Sequence, residues 1–265
     1  NTDAENTDPA DATNATAGTA DGEHAGFDES ESDEIDESVI MTFTELGLPE
    51  ALVERMARDG ITKPFPIQAA SIPAVLEGRD VLARGRTGSG KTIAFGAPLV
   101  ERVLQSQAGK RREFGRAPRA IILAPTRELA LQVSDSFQSF ADHLGGVHIL
   151  PIYGGQAYGI QLSGLRRGAQ VIVGTPGRVI DHLEKGSLDL SQLQFLVLDE
   201  ADEMLNMGFQ EDVERILEDT PDRKQVALFS ATMPNAIRRL SKQYLDNPAE
   251  VTVKSERRTN DNITQ

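Results

Sequence analysis

Asp80-Val81-Leu82-Ala83-Arg84-Gly85-Arg86-Thr87-Gly88-Ser89-Gly90-Lys91-Thr92 is the stretch on which the reading of the fold turns. A short apolar run enters a glycine-rich turn, and a run with the pattern of a helix leaves it near Lys91. From Gly85 to Thr92 the turn satisfies G-x-x-x-x-G-K-[ST]. Residues without side-chain bulk let successive backbone N–H groups converge on phosphate oxygens. The following helix adds unpaired N-terminal donors and the positive end of its dipole. Lys91 then sets a point charge against the outer phosphates, and the Thr92 hydroxyl is a Mg²⁺ ligand. Nucleotide contacts are expected from Arg86, Thr87, Gly88, Ser89, Gly90, Lys91 and Thr92.

Outward from this loop, apolar runs alternate with amphipathic ones. The runs predict strands at 80–84, 119–124, 147–152, 170–174, 195–199, 226–230 and 249–253. Helices are predicted near 49–58, 67–76, 91–105, 127–142, 157–166, 177–184, 209–218 and 234–244. Strands apolar on both faces and separated by helices describe an α/β fold, a mostly parallel central sheet with helices on both faces. Ligands gather at the carboxyl ends of such strands. Phe195-Leu196-Val197-Leu198-Asp199-Glu200 places two adjacent carboxylates at one such end. Asp199 can hold Mg²⁺ largely through water, and Glu200 can orient and deprotonate the water that attacks a γ-phosphate. Leu205, Met207 and Phe209, just beyond, are expected in the core.

Charge divides the chain. Thirteen of its 41 acids lie in residues 1–40, and no Lys or Arg precedes Arg55. The rest carries 28 acids against 27 bases, so the net charge of −14 is mostly the tail's. Like-charge repulsion and low hydrophobicity predict a disordered, solvating tail over 1–40, with a partner-binding arm as the alternative. Nothing at the N-terminus resembles a targeting segment, and no apolar run approaches a membrane span, so a cytoplasmic protein is expected. With no Cys and four scattered His, disulfides, thiolate metal sites and cysteine nucleophiles are excluded.

Further motifs stand in order along the chain: Gly60-Ile61-Thr62-Lys63-Pro64-Phe65-Pro66-Ile67-Gln68, Pro125-Thr126-Arg127-Glu128-Leu129-Ala130, Gly154-Gly155, Thr175-Pro176-Gly177-Arg178, Asp199-Glu200-Ala201-Asp202 and Ser230-Ala231-Thr232. With the phosphate loop, they make residues 41–265 resemble the first core domain of a DEAD-box ATP-dependent RNA helicase. That resemblance implies a RecA-like domain over 41–253, the start of an interdomain linker at 254–265, and a second RecA-like domain in a longer parent. It implies ATP as substrate with Mg²⁺ at Thr92 and Asp199, and Glu200, Lys91 and Asp199 as catalytic residues. Gln68 would read adenine, with Phe43 and Lys63 also at the nucleotide. Ile61 stands where the family usually has an aromatic residue, which leaves Phe43 and Phe65 as candidates to stack on the base.

Both Pro125-Thr126-Arg127 and Thr175-Pro176-Gly177-Arg178 follow a predicted strand and precede a predicted helix, so each presents helix N-terminal donors, as ordinary helix starts also do. The resemblance assigns them, with Gly154-Gly155, to a sequence-independent RNA backbone track. It makes Asp202, Ser230 and Thr232 coupling residues. A lone core domain is expected to be monomeric and nearly inactive. A DNA translocase with the same loop and acidic pair, or a non-catalytic RNA clamp, are the alternatives.

Overall fold

A computed structural model describes residues 41–86, 88–107, 117–141 and 147–253. The tail over 1–40, Thr87 and the linker at 254–265 lie outside the described residues. Helices α1 (Glu50–Arg58) and α2 (Pro66–Leu76) precede β1 (Val81–Arg84), and α3 (Lys91–Gln107) leads to β2 (Ala120–Leu123). Then come α4 (Arg127–Ala141), β3 (Ile149–Ile152), α5 (Tyr158–Arg167), β4 (Val171–Gly174), α6 (Pro176–Glu184) and β5 (Phe195–Leu198). The chain continues through α7 (Ala201–Asn206), α8 (Gln210–Asp219), β6 (Gln225–Ser230), α9 (Asn235–Tyr244) and β7 (Ala249–Thr252).

The strands form one sheet in the order β3-β4-β2-β5-β6-β1-β7, and every neighbouring pair is parallel. The connections β1→β2→β3 step toward the β3 edge, and all later ones step back toward β7. Since parallel crossovers are right-handed, the reversal at β3 sends α3 and α4 to one face and α5 to α9 to the other. Strand residues alternate accordingly. Val81, Ala83, Ala120, Ile122, Val171, Val173, Phe195, Val197, Ala227 and Phe229 share a core with Phe95, Phe137 and Ile67 from α2 to α4. Ile121, Leu123, Ile172, Leu196, Leu198, Val226 and Leu228 share the other with Val179, Ile216 and Ile237 from α6, α8 and α9. At ~1.5–3 kcal/mol for each large side chain buried, these two layers dominate the stabilisation and fix strand register.

All seven predicted strands are present. One element differs: α7 begins directly after the acidic pair, and its six residues are too short for a helical period to show in sequence. Within this region Leu205 and Phe209 pack against the second core, but Met207, expected in the core, is 47% exposed where α7 ends.

Candidate active site

The phosphate loop leaves the carboxyl end of β1 and opens α3. Gly85 donates its N–H to the Ser230 carbonyl at 3.0 Å, tying the loop to the end of β6. Gly88 and Gly90 both have φ of +84°, a left-handed conformation that side chains resist. At Gly90 the need is also spatial, because a Cβ there would stand 2.5 Å from Gln68 Nε2 and 2.7 Å from Phe65 Cδ2.

Lys91, the first residue of α3, is 7% exposed and bridges two carboxylates: Asp199 Oδ1 at 3.0 Å and Glu200 Oε1 at 3.1 Å. Asp199 follows β5 and donates its N–H to the Leu123 carbonyl at 2.9 Å, so its side chain is fully buried at the sheet's carboxyl edge. Burial pushes the Asp199 carboxyl above the usual carboxylate range, against the opposing pull of the Lys91 ammonium. Glu200 occupies the left-handed region (φ 52°, ψ 53°) as the N-cap of α7. Such a conformation costs a non-glycine residue ~1–3 kcal/mol, and here it accompanies the turn of Glu200 onto Lys91.

The Asp199–Lys91 contact is an ion pair; neither Asp199 oxygen receives a directed hydrogen bond, and the buried Ser89 Oγ has none. Unsatisfied hard oxygens beside a phosphate loop are of the kind that suits a hard cation, and Thr92 stands close by in the first turn of α3.

Gln68 is 3% exposed in α2. Its Oε1 accepts the Phe65 N–H at 3.0 Å and its Nε2 donates to the Gly90 carbonyl at 3.1 Å, so the amide braces the phosphate loop. A carboxamide has two donor hydrogens and two acceptor sites, and one of each remains. Phe43, expected at the nucleotide, is 1% exposed in the first core, and the ring beside Gly90 belongs to Phe65, 53% exposed. Ile61 also packs on that core, and Lys63 and Arg86 are exposed.

Asp202 joins β6 to the acidic pair. Its N–H donates to Ser230 Oγ at 3.3 Å, and its Oδ2 accepts the Thr232 N–H at 3.2 Å and hydroxyl at 2.8 Å. The three expected coupling residues are therefore one hydrogen-bonded group.

On the other half of the sheet, β2, β4 and β3 lie side by side, so three motifs share one carboxyl edge. Thr126 caps α4 by accepting the Leu129 N–H at 3.2 Å, and Arg127 lies over the Tyr153 ring at 5.1 Å. Gly154 and Gly155 (φ +86°) are exposed just after β3. Thr175 caps α6 with extended backbone but without a side-chain bond, and Pro176 takes the first turn. Gly177 would leave an added Cβ nothing within 4 Å. Arg178 Nη1 donates to the Gln156 carbonyl and to Gln161 Oε1, both at 3.2 Å.

Gln161 and His182, both 0% exposed, were missed in sequence. The available signal was His182 beside Val179 and Ile180 on the buried face of α6.

The DEAD/DEAH box helicase family model matches residues 65–240. The chain belongs to the DEAD/DEAH box helicase family. Proteins named ATP-dependent RNA helicase DeaD are 52% identical over 224 residues in Buchnera aphidicola and in Mycobacterium tuberculosis, covering 84% of this chain and 36% and 38% of theirs. The one in Escherichia coli is 50% identical over 224 residues, covering 84% of this chain and 34% of its own. The chain thus spans about a third of the length of the curated relatives it matches. A crystal structure of a DEAD box protein from Methanococcus jannaschii aligns with TM-score 0.74 at 41% identity, covering 82% of this chain and 57% of that one. The helicase-family fold is thus shared, and no helix of the described residues is long and apolar enough to cross a membrane.

Proposed function

We propose that residues 41–253 are the ATP-binding half of a cytoplasmic, ATP-dependent RNA helicase, with residues 1–40 a solvating tail, 254–265 the start of a linker, and a second RecA-like domain in the parent. The observation that carries this reading is Lys91 held between Asp199 and Glu200 beneath the phosphate loop. Incoming ATP phosphates offer the ammonium a stronger set of anions, so Lys91 exchanges partners and Glu200 takes a proton from the attacking water. Mg²⁺ at Thr92 and Asp199 would draw charge from the β and γ phosphates when bound. Gln68, with one donor and one acceptor in reserve, matches the N6/N7 edge of adenine. The caps of α4 and α6 and the Gly154-Gly155 turn offer N–H groups and Arg127 and Arg178 offer charge to an RNA backbone, without reading bases. Asp202, Ser230 and Thr232 connect that edge to the second domain.

In the full-length parent, Glu200→Gln keeps nucleotide affinity and lowers RNA-stimulated ATP hydrolysis ~10²–10⁴-fold, because an amide keeps the shape but takes no proton. ATPase and fluorescent-ADP titrations check this. Hydrolysis at the unmodified rate would remove Glu200 from the role of base.

A further inference from the structure

We propose that Gln161 and His182 are positioning residues that lock the Gly154-Gly155 turn and Arg178 into one rigid unit. The proposal rests on the RNA reading above. Gln161 projects from α5 into a fully buried space between the turn after β3 and helix α6. Its Nε2 donates to the Tyr153 carbonyl at 2.9 Å and to Gln156 Oε1 at 3.0 Å. Its Oε1 accepts from Arg178 Nη1 at 3.2 Å and meets His182 Nε2 at 2.7 Å. With both Nε2 hydrogens given to oxygens, Oε1 is left as an acceptor, and His182 must carry its hydrogen on Nε2. His182 Nδ1 is then an acceptor, met by Ser187 Oγ at 2.8 Å. The Tyr158 hydroxyl meets the same Ser187 oxygen at 2.9 Å, and its ring stacks on the imidazole at 4.3 Å between centroids. Ser187 Oγ also lies 3.1 Å from the His182 carbonyl, so its one hydrogen is shared between that oxygen and Nδ1, while the Gln161 amide has no valence left.

A saturated amide has one orientation, since rotating it would face donors with donors. Buried polar groups cost free energy when unpaired, so a network that closes completely resists local change. This one ties the residues on both sides of Gly154-Gly155, Tyr153 and Gln156, to the same Arg178 that the turn would share a phosphate track with. Tyr153 extends the unit to Arg127 through its ring. Two exposed glycines, one left-handed, would otherwise sample many conformations, and backbone donors bind an anion well only when prearranged.

The test uses the whole chain and Gln161→Leu, with ¹⁵N relaxation and binding of oligo(U) and ADP. Order parameters at Gly154 and Gly155 near the rigid value of ~0.85 are expected to fall below ~0.6, with those of Gly88 and Gly90 unchanged. Oligo(U) affinity falls about tenfold or more and ADP affinity stays within about twofold, a tenfold loss corresponding to ~1.4 kcal/mol. Gln161→Glu, which keeps the acceptor for Arg178 and loses the donors to the turn, restores part of the oligo(U) affinity. If Gln161→Leu does not fold, Ser187→Ala at the far end of the network gives the same pattern with smaller amplitude. Unchanged order at Gly154 and Gly155 in a folded variant, or equal loosening of both glycine pairs, overturns the proposal. If the unmodified chain does not bind oligo(U), the RNA reading fails, and the relaxation comparison still decides the positioning role.

Discussion

Two buried glutamines contrast the two halves of this sheet. Gln68, on the nucleotide side, spends half of its hydrogen-bonding capacity on Phe65 and Gly90. Gln161, on the other side, spends all of it. The charged groups differ in the same sense. Lys91, Asp199 and Glu200 hold one another in an ion triad with unsatisfied oxygens, whereas the neutral His182 imidazole and Arg178 both donate to a Gln161 amide whose valences are filled. A region whose groups keep capacity in reserve can exchange partners with a ligand. A region whose groups are filled can only present a fixed surface.

The largest effect expected from breaking this contrast is at the triad. Lys91→Ala leaves a fully buried carboxylate without its cation, which typically costs ~3–5 kcal/mol, less whatever Asp199 recovers by taking a proton. Denaturant unfolding should register that loss, and nucleotide affinity should drop about a hundredfold or more, or ~2.7 kcal/mol. Adding Asp199→Asn should recover part of the stability but none of the affinity. A Lys91→Ala chain as stable as the original would show that Lys91 does not compensate the buried Asp199 charge.

The filled network should instead answer to acid. Burial, then Arg178 and Lys185, lower the His182 pKa from 6.5 to about 4, with Asp181 opposing. The neutral imidazole therefore contributes stability above pH 6.5, and this is lost as pH falls toward 4. The full loss is about 3 kcal/mol, since each tenfold weakening of proton binding is worth ~1.36 kcal/mol. Unfolding free energies across that range, compared with His182→Gln, check the slope. Equal slopes would show that His182 does not carry it.

The smallest effect separates bracing from reading at Gln68. ADP should bind about tenfold more tightly than GDP, ~1.4 kcal/mol, because guanine presents its acceptor and donor in the reversed order. Gln68→Ala should weaken ADP and bring the two affinities together. If ADP weakens but the ratio survives, Gln68 is only a brace.

Much of this was legible in sequence, for identifiable reasons. The strands announced themselves as apolar runs because both faces of the sheet are covered, and the loop as glycines because Gly88 and Gly90 need left-handed backbone. Strand order is set by where each crossover lands, which no local pattern encodes. Helix α7 hid behind its length. Phe43 and Phe65 are the same residue type with opposite exposures, 1% and 53%, decided by packing of the entering segment. Gln161 and His182 escaped because a polar residue on an amphipathic helix reads as surface until a second element is seen to close over it.

Sheet order also dictates a timetable. Strand β1, which delivers the phosphate loop, pairs only with β6 and β7: Val81 lies opposite Ala227 and Ala249. At ~5–20 residues per second, a ribosome needs about 7–30 s to reach β6 after finishing β1. Strands β2 to β5 can pair with one another in the meantime. The phosphate loop is made before either strand that flanks β1, so a nascent chain stalled before β6 would carry the sequence of the site without the site.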